Sequence, residues 1–599
     1  MGETAHDSKP RARMTERFWD FLRSRMPDSR RFFILCAVVG LLSGLVAVAF
    51  HMAIHGLSHF LLHVIPGDPE KGLMFWLVLP LIPAMGGTLA GIIMENFAPG
   101  ARGSGIPQTK AAYYNKFGLI RFREGVARFI LGSLSIGSGI SLGREGPTVH
   151  ICSAIASTLG QWLGMAKPRI QAMVPVGMGA GIASAFNTPL AAITFVFEEL
   201  LDDFSSKAMG GILIAVVIAA VVSRALLGAN PSFEVDLYTF DSYWWTLISV
   251  LLGLAAAVFG HWFVGGLLWA RQWFGHTPIP AWLRPGVGGL SLGILGTLVL
   301  FLTGGEHRGV FGIGYEDLTH ALTGTLALKV VIFLFIGKFI ATILAYASGS
   351  SGGLFAPVLF IGGMLGAIIG AMFELAFDFN QSILGAVALL GMGAFFAAVI
   401  RCPLTSLLII FEMTLNYSLI LPLMVGNMIA YYLSNRWRPI PLYNALLIQD
   451  KVNLKKMPSY MGAQDWKNLP VSTIMTHDPI SAFDSKSLKE NLEFLRENKH
   501  HAYPVRAEDR KLVNVITHHE LEELDVSHAD KLLAELLPEH DLVVLTPNTS
   551  IREAARIMVR NDIEQVPVVS HKNVQRLVGF VTLHDIARQQ NAVEDQLGR

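Results

Sequence analysis

The sequence predicts an all-α, multi-pass membrane domain followed by a soluble α/β pair. Three observations predict it. The 599 residues are 52% hydrophobic and only 16% charged, against roughly a quarter charged in an average soluble domain. The apolar character is confined to one block, from Phe32 to about Leu433, and two stretches inside that block resemble each other. From about residue 451 the composition turns polar, and a different motif occurs there twice in series.

In chain order, residues 1–31 form a basic segment with Arg11, Arg13, Arg17, Arg23, Arg25, Arg30 and Arg31. Such a segment is expected on the cytoplasmic side. Residues 32–450 are the expected membrane domain. A hydrocarbon core of ~30 Å takes roughly 20 apolar residues to span, and candidate spans are 33–54, 73–96, 208–227, 243–268, 285–303 and 327–346, with more helices between 354 and 434. The first run starts too late and is too long for a secretory signal peptide. Residues 451–470 read as a basic linker beneath a membrane, and the tail divides into modules at 471–527 and 528–599. A formal net charge of +1 offers none of the basic surface that nucleic acid needs. Cys36, Cys152 and Cys402 lie far apart in apolar sequence, fitting neither a disulfide framework nor a metal site, and are expected as small core residues.

Within the membrane block, 177-GMGAGIASAFNTPLAAITFVFEE-199 aligns without a gap on 391-GMGAFFAAVIRCPLTSLLIIFEM-413, matching Pro189 to Pro403 and Glu198 to Glu412. Upstream, 143-GREGPTVHICSAIASTLG-160 parallels 353-GLFAPVLFIGGMLGAIIG-370. Internal symmetry of this kind marks transporter folds, whose substrate site lies where broken helices from the two halves meet. The residues alone leave open whether the repeats are parallel or inverted. Glycine and proline interrupt 175-PVGMGAGIASAFNTP-189 and 349-GSSGGLFAPVLFIGG-363. Unwound backbone at membrane depth must be buried in protein or line a watery cavity.

Glu145 is an acid within this apolar block, and an intramembrane carboxylate marks a functional site by default. Gly143, Gly146 and Pro147 surround it. Proline is well placed in a helix's first turn, so GREGP reads as a helix start whose amides form an anion seat. Glu145 can occupy that seat when ionised and leave it when protonated. The alternative is a capping acid paired with Arg144, and on this pentapeptide the two readings stand even. Two more stretches favour an anion site. 103-GSGIP-107 sets the Ser104 hydroxyl between glycines, and 352-GGLFAP-357 opens another helix at the amides of Leu354 and Phe355. Such donors suit a halide, which must exchange its water shell without being held too tightly to leave.

GSGIP, GREGP and GGLFAP in this order closely resemble the CLC family of chloride channels and chloride/proton antiporters, over about residues 30–450. The resemblance implies two inverted repeats of broken helices and a homodimer with one pore in each subunit. It implies Ser104 as a ligand of the central chloride, Glu145 as the external gate and proton acceptor, and the amides of Leu354 and Phe355 as lining. From the context 439-PIPLYNALL-447, Tyr443 is implied as the inner closure. Serine in GSGIP favours chloride over nitrate in this family, and GREGP looks unlike the fluoride-exporting branch.

The segment 195-FVFEELLDD-203 separates exchanger from channel. In antiporters that this sequence resembles, the second glutamate, here Glu199, hands protons in from the cytoplasm; channels usually carry an apolar residue there. Coupled exchange needs a titratable group on each side of the anion site, and Glu145 and Glu199 supply two. Without the resemblance, Glu198 and Glu199 would read as a helix-end pair solvated with Asp202 and Asp203. Arg128 is expected either to balance the buried acids or to snorkel to an interface. The expected function is therefore chloride/proton antiport. The alternative is a passive voltage- or pH-gated chloride channel of the same fold. An intramembrane enzyme would need a nucleophile–base pair, and His150 and Ser141 are poorly spaced for one.

In the tail, 473-TIMTHDPISAFDSKSLKENLEFLRENKHHAYPV-505 with 512-LVNVITHHEL-521 parallels 536-LLPEHDLVVLTPNTSIREAARIMVRNDIEQVPV-568 with 577-LVGFVTLHDI-586. Each copy reads as a short strand, a helix opened by Ser or Thr, "PV" entering a strand, and a second strand ending near a helix. The pair resembles cystathionine-β-synthase-type (CBS) domains, whose cleft can take an adenine nucleotide. That resemblance implies Thr582 and Asp585 of 579-GFVTLHD-585 as ribose contacts. The first copy, 514-NVITHHE-520, has Asn514 for glycine and Glu520 for aspartate, so a ligand-free, dimer-stabilising module stands beside the nucleotide reading. Transport itself is expected to require no cofactor, and the expected location is the cell (inner) membrane with both termini cytoplasmic.

Overall fold

The computed structural model describes residues 28–67, 72–201, 209–228, 244–377, 383–454, 466–495, 500–524, 529–537, 542–570 and 575–597. Arg11, Arg13, Arg17, Arg23, Arg25, Asp202, Asp203 and linker residues 455–465 lie outside them. The chain divides into two compact units, Met1–Lys455 and Lys456–Arg599.

Eight helices among the described residues of the first unit are long and apolar enough to cross a membrane: Arg30–Val64, Leu73–Phe97, Met209–Leu227, Trp244–His276, Arg284–Leu302, Leu328–Ala347, Phe355–Ala376 and Tyr417–Gln449. The six spans read from the sequence each fall on one of these. Trp244–His276 runs well past the expected residue 268; its 33 residues exceed a hydrocarbon core at 1.5 Å per residue, which a helix accommodates by tilting. Glycine governs how closely the helices pack. A Cβ on Gly87 or Gly91 would fall 2.4 and 1.9 Å from the carbonyls of Pro285 and Trp282, and one on Gly289 or Gly293 would fall 2.2 and 2.4 Å from those of Pro83 and Pro80. Glycines four apart on both helices thus let Leu81–Phe97 and Arg284–Leu302 approach backbone to backbone, as membrane helices do through small residues.

The internal repeat is a structural repeat. Glu145–Trp162 and Phe355–Ala376 begin at matched positions. Matched helices Lys167–Phe186 and Leu384–Val399 follow, and both chains then turn through a left-handed residue at aligned positions, Asn187 (φ 60°) and Arg401 (φ 73°). Pro189–Phe195 and Pro403–Thr414 come next, each opened by its proline. The matched glycines Gly143 and Gly353 bond to each other in both directions, at 2.7 and 2.6 Å. Equivalent residues that exchange both bonds lie on the axis relating the two halves. One expectation is corrected. Pro175 sits inside the continuous helix Lys167–Phe186, so the first break falls at residues 187–188, not at 175. A proline nine residues into a helix removes one backbone bond without stopping it when packing holds both flanks.

In the second unit, the expected elements form two three-stranded sheets. Strand β1 is Thr476–His477, β2 Ala482–Phe483, β3 Ala502–Arg506, β4 Leu512–Thr517, β5 Gln565–Val569 and β6 Leu577–Thr582. The sheet orders are β2-β3-β4 and β1-β6-β5. The Pro-Val pairs lie on β3 and β5, and both hairpins shift register at the residue after that valine. Ser487 and Ser550 accept from the amides of Glu490 and Glu553 at 3.2 Å, opening the two helices as serine N-caps do. The modules are not independent, however. β1 precedes the first copy's helix yet pairs antiparallel with β6 of the second copy. A two-residue strand has no periodicity from which its partner could be read.

Candidate functional site

Three loops build the site. Gly143 pairs with Gly353 as above, the Gly103 amide donates to the Ser350 carbonyl, and the Gly352 amide donates to the Gly103 carbonyl, both at 3.3 Å. GSGIP, GREGP and GGLFAP are thereby stitched into one cluster. Their glycines allow the contact: a Cβ on Gly146 would lie 2.4 Å from both the carbonyl and the hydroxyl of Ser104, and one on Gly353 would lie 2.8 Å from the Gly146 amide. Gly105 adopts φ 99°, which only glycine takes readily, as the chain turns into the helix Ile106–Asn115.

Ser104, Glu145, Leu354, Phe355 and Tyr443 are all fully buried. The structure brings the first four together at the amino ends of two long helices, where the first turn's amides lack intrahelical acceptors. Leu354 immediately precedes one helix and Phe355 opens it. The Phe355 ring is core, 4.7, 5.6 and 4.4 Å from the rings of Phe186, Phe195 and Phe396; only its backbone belongs to the site. The Glu145 carboxylate faces the amides of its own residue and of Ala356, from both helix ends. Its Oε1 accepts from the Tyr315 hydroxyl at 3.3 Å. The capping-pair reading of Arg144 is not what forms: its guanidinium donates to His51 Nδ1 and, at 2.8 Å, to the Ala185 carbonyl.

Tyr443 stands on Leu442–Gln449, the last helical segment of the Tyr417–Gln449 span, after the preceding helix ends at Trp437. Its phenol faces the Ser104 hydroxyl and lies within electrostatic reach of Glu199. Neither the Ser104 Oγ nor the Tyr443 Oη has a hydrogen-bond partner among the described residues. Leaving a buried polar group unsatisfied costs about 1–3 kcal/mol, and two adjacent hydroxyls in that state can both donate to a ligand that accepts hydrogen bonds. The comparison with family models identifies both parts of the chain. The voltage gated chloride channel model matches residues 86–435, more than half of the chain, and the CBS domain model matches 471–526 and 533–591.

The chain belongs to the voltage gated chloride channel family.

This CLC chain is 32% identical over 448 residues to the H(+)/Cl(-) exchange transporter ClcA of Vibrio campbellii, covering 73% of this chain and 94% of that protein. It resembles the crystal structure of a slow cyanobacterial Cl-/H+ antiporter at 28% identity and TM-score 0.64, over 71% of this chain and 99% of that one. A eukaryotic CLC transporter shares the fold over 93% of this chain, at 19% identity and TM-score 0.60. The CLC chain is a multi-pass membrane protein with a small α/β CBS region at its end.

Glu199 is buried in the π-helical turn Val196–Leu201. Its Oε1 accepts from Lys110 Nζ at 2.7 Å, and its Oε2 lies 3.8 Å from Cys402 Sγ. Glu198 serves another purpose. It accepts from the Leu404 and Thr405 amides at 3.1 and 2.8 Å and from the Thr405 hydroxyl at 2.6 Å, so the two acids of the EE pair are not one solvated patch. Arg128 does not balance either acid. Fully buried, it donates to the carbonyls of Gly103 and Gly100 at 2.8 and 2.9 Å and braces the Ser104 loop. His150 bonds to Thr109 and Ser141 to Thr342, so they form no dyad.

Sequence reasoning missed Lys110, Tyr315 and Tyr346, whose hydroxyl receives the Ser104 amide at 3.4 Å. Lys110 left a usable signal: a lone cation six residues beyond Ser104 on a helix start expected to be buried has to find an anion. A cavity of about 870 Å³, lined in part by His51, Arg144, His307, Arg308 and Tyr315, reaches to within one residue of Glu145. No cluster of His, Cys, Asp or Glu among the described residues has metal-holding geometry. In the tail, Thr582 and Asp585 bond to each other: the Thr582 amide and hydroxyl both donate to Asp585 Oδ2 at 2.9 Å, and the Asp585 amide donates back to the hydroxyl at 3.1 Å. Thr517 and Glu520 make the same box at the first copy's helix.

Proposed function

We propose that this chain is a chloride/proton antiporter. The observation that carries the reading is the grouping of Glu145 beside the Ser104 loop and of Ser104 facing Tyr443, with Glu199 within electrostatic reach of Tyr443. Two buried carboxylates thus lie near one pair of hydroxyls that have no hydrogen-bond partner among the described residues. Chloride rests against the Ser104 and Tyr443 hydroxyls and the amides at the Phe355 helix start. The ionised Glu145 carboxylate competes for the same amides, because both are anions and the helix ends carry partial positive charge. When Glu145 takes a proton it loses that attraction and moves away, and chloride advances. Protons reach it from the inner side by way of Glu199. The names borne by the similar exchangers support the same direction.

The chain works as a homodimer in a lipid bilayer, in the cell (inner) membrane, with both termini cytoplasmic; the family resemblance and the arginine-rich first segment support this. The CBS pair is the regulatory part and takes an adenine nucleotide at the second copy. Asp585 spends one oxygen on its cap and keeps the other for a ribose hydroxyl. Transport itself uses no cofactor.

The test is flux from purified protein in proteoliposomes, with chloride and pH recorded together. An imposed chloride gradient is expected to drive protons against their own gradient. Chloride movement with no accompanying protons would contradict the reading and select a passive channel.

A further inference from the structure

We propose that Lys110 is a positioning residue for proton transfer, supplying the counter-charge that lets Glu199 alternate between its ionised and protonated forms while buried. This rests on the antiport reading. An ionised carboxylate held in protein without a partner is strongly disfavoured. Glu199 could then take a proton once and keep it, which carries nothing. The ammonium 2.7 Å from Oε1, with both side chains about 95% buried, makes the ionised form accessible again after each proton leaves.

The surroundings direct the carboxylate. Lys110 holds Oε1, and Oε2 is left towards the Cys402 thiol, with the Tyr443 phenol within electrostatic reach. The neighbouring acid, Glu198, is turned away into the amides of Leu404 and Thr405. Tyr114 donates to the Leu200 carbonyl at 2.6 Å and steadies the turn that carries Glu199. Lys110 also lies on the helix that begins directly after Ser104. A shift of the Ser104 loop on chloride binding therefore moves the ammonium as well, so anion occupancy and proton loading share one rigid helix.

The experiment measures chloride and proton fluxes in proteoliposomes for the full chain and for Lys110→Met, Lys110→Arg, Glu199→Gln and Lys110→Met/Glu199→Gln. Lys110→Met is expected to cut proton flux at least about tenfold while chloride flux persists. Lys110→Arg is expected to restore coupling, since it keeps the charge. Adding Lys110→Met to Glu199→Gln is expected to change proton flux no further, because a residue acting through another is silent once that partner is gone. Should Lys110→Met not reach the membrane, Lys110→Gln removes the charge but can still donate to Oε1, and the same outcome is expected. A wild-type proton-to-chloride ratio in the neutral variants overturns the proposal. So does a parallel loss of both fluxes, or an arginine variant no better than methionine. If the unmodified protein moves no protons at all, the antiport reading has failed and the proposal with it, a result visible before any substitution is made.

Discussion

Glu198 and Glu412, aligned by the internal repeat, each cap a helix of the opposite half. Glu198 accepts from the Leu404 and Thr405 amides, and Glu412 accepts from the Leu190 and Ala191 amides at 3.0 and 2.8 Å. Each carboxylate satisfies backbone donors that the first turn of Pro189–Phe195 or Pro403–Thr414 would otherwise leave unpaired. Only a two-fold relation between the halves makes such an exchange reciprocal.

The exchange predicts a structural role for Glu198. Glu198→Ala and Glu412→Ala should each destabilise the protein by about 0.5–2 kcal/mol, the range for loss of a helix cap. Thermal unfolding in detergent reads the stability. The proton-to-chloride ratio should be unchanged in both variants, in contrast to Glu199→Gln.

Gly146→Ala should disable the anion site. The added carbon falls 2.4 Å from both Ser104 oxygens, and those belong to a loop fixed by Arg128 and by the Gly103 backbone bonds. Relieving such an overlap costs about 1–3 kcal/mol. Chloride binding, followed by titration calorimetry, should weaken by about tenfold or more.

Tyr315→Phe should loosen the gate. It removes the Tyr315 hydroxyl's bond to Glu145 Oε1, worth about 1 kcal/mol at this length, or about fivefold. With the carboxylate held less firmly, chloride competes better, so the chloride concentration at half-maximal flux should fall by about that factor.

Asp585→Ala should lower the stability of the tail by about 1 kcal/mol by breaking its capping box with Thr582, and Glu520→Ala should do the same with Thr517 at the first copy. Nucleotide binding separates the two. Adenine nucleotide titrated into the full chain should lose its binding in Asp585→Ala and keep it in Glu520→Ala.

The features legible in the sequence were those with periodicity or internal symmetry. The apolar runs gave the spans, and matched motifs gave helix starts at Glu145 and Phe355 and the capped helices after Ser487 and Ser550. What stayed hidden was pairing at a distance. Lys110 and Glu199 are 89 positions apart, and no local pattern links them. Arg128 has a charge but spends it on carbonyls, which leave no sequence signal. The crossing of β1 into the second copy's sheet is a tertiary choice that two residues cannot encode. In the sequence only the family resemblance sets Glu199 apart from its neighbour; the physical difference is that one acid meets a lysine and the other meets amides.

The central claim is that one mobile acid both gates chloride and carries the proton. The most direct test is simultaneous chloride and proton flux from Glu145→Gln in proteoliposomes. Glutamine keeps the size of the side chain and cannot titrate. Chloride should continue to move while proton flux falls to background. Proton transport persisting at the wild-type ratio in that variant would contradict the account.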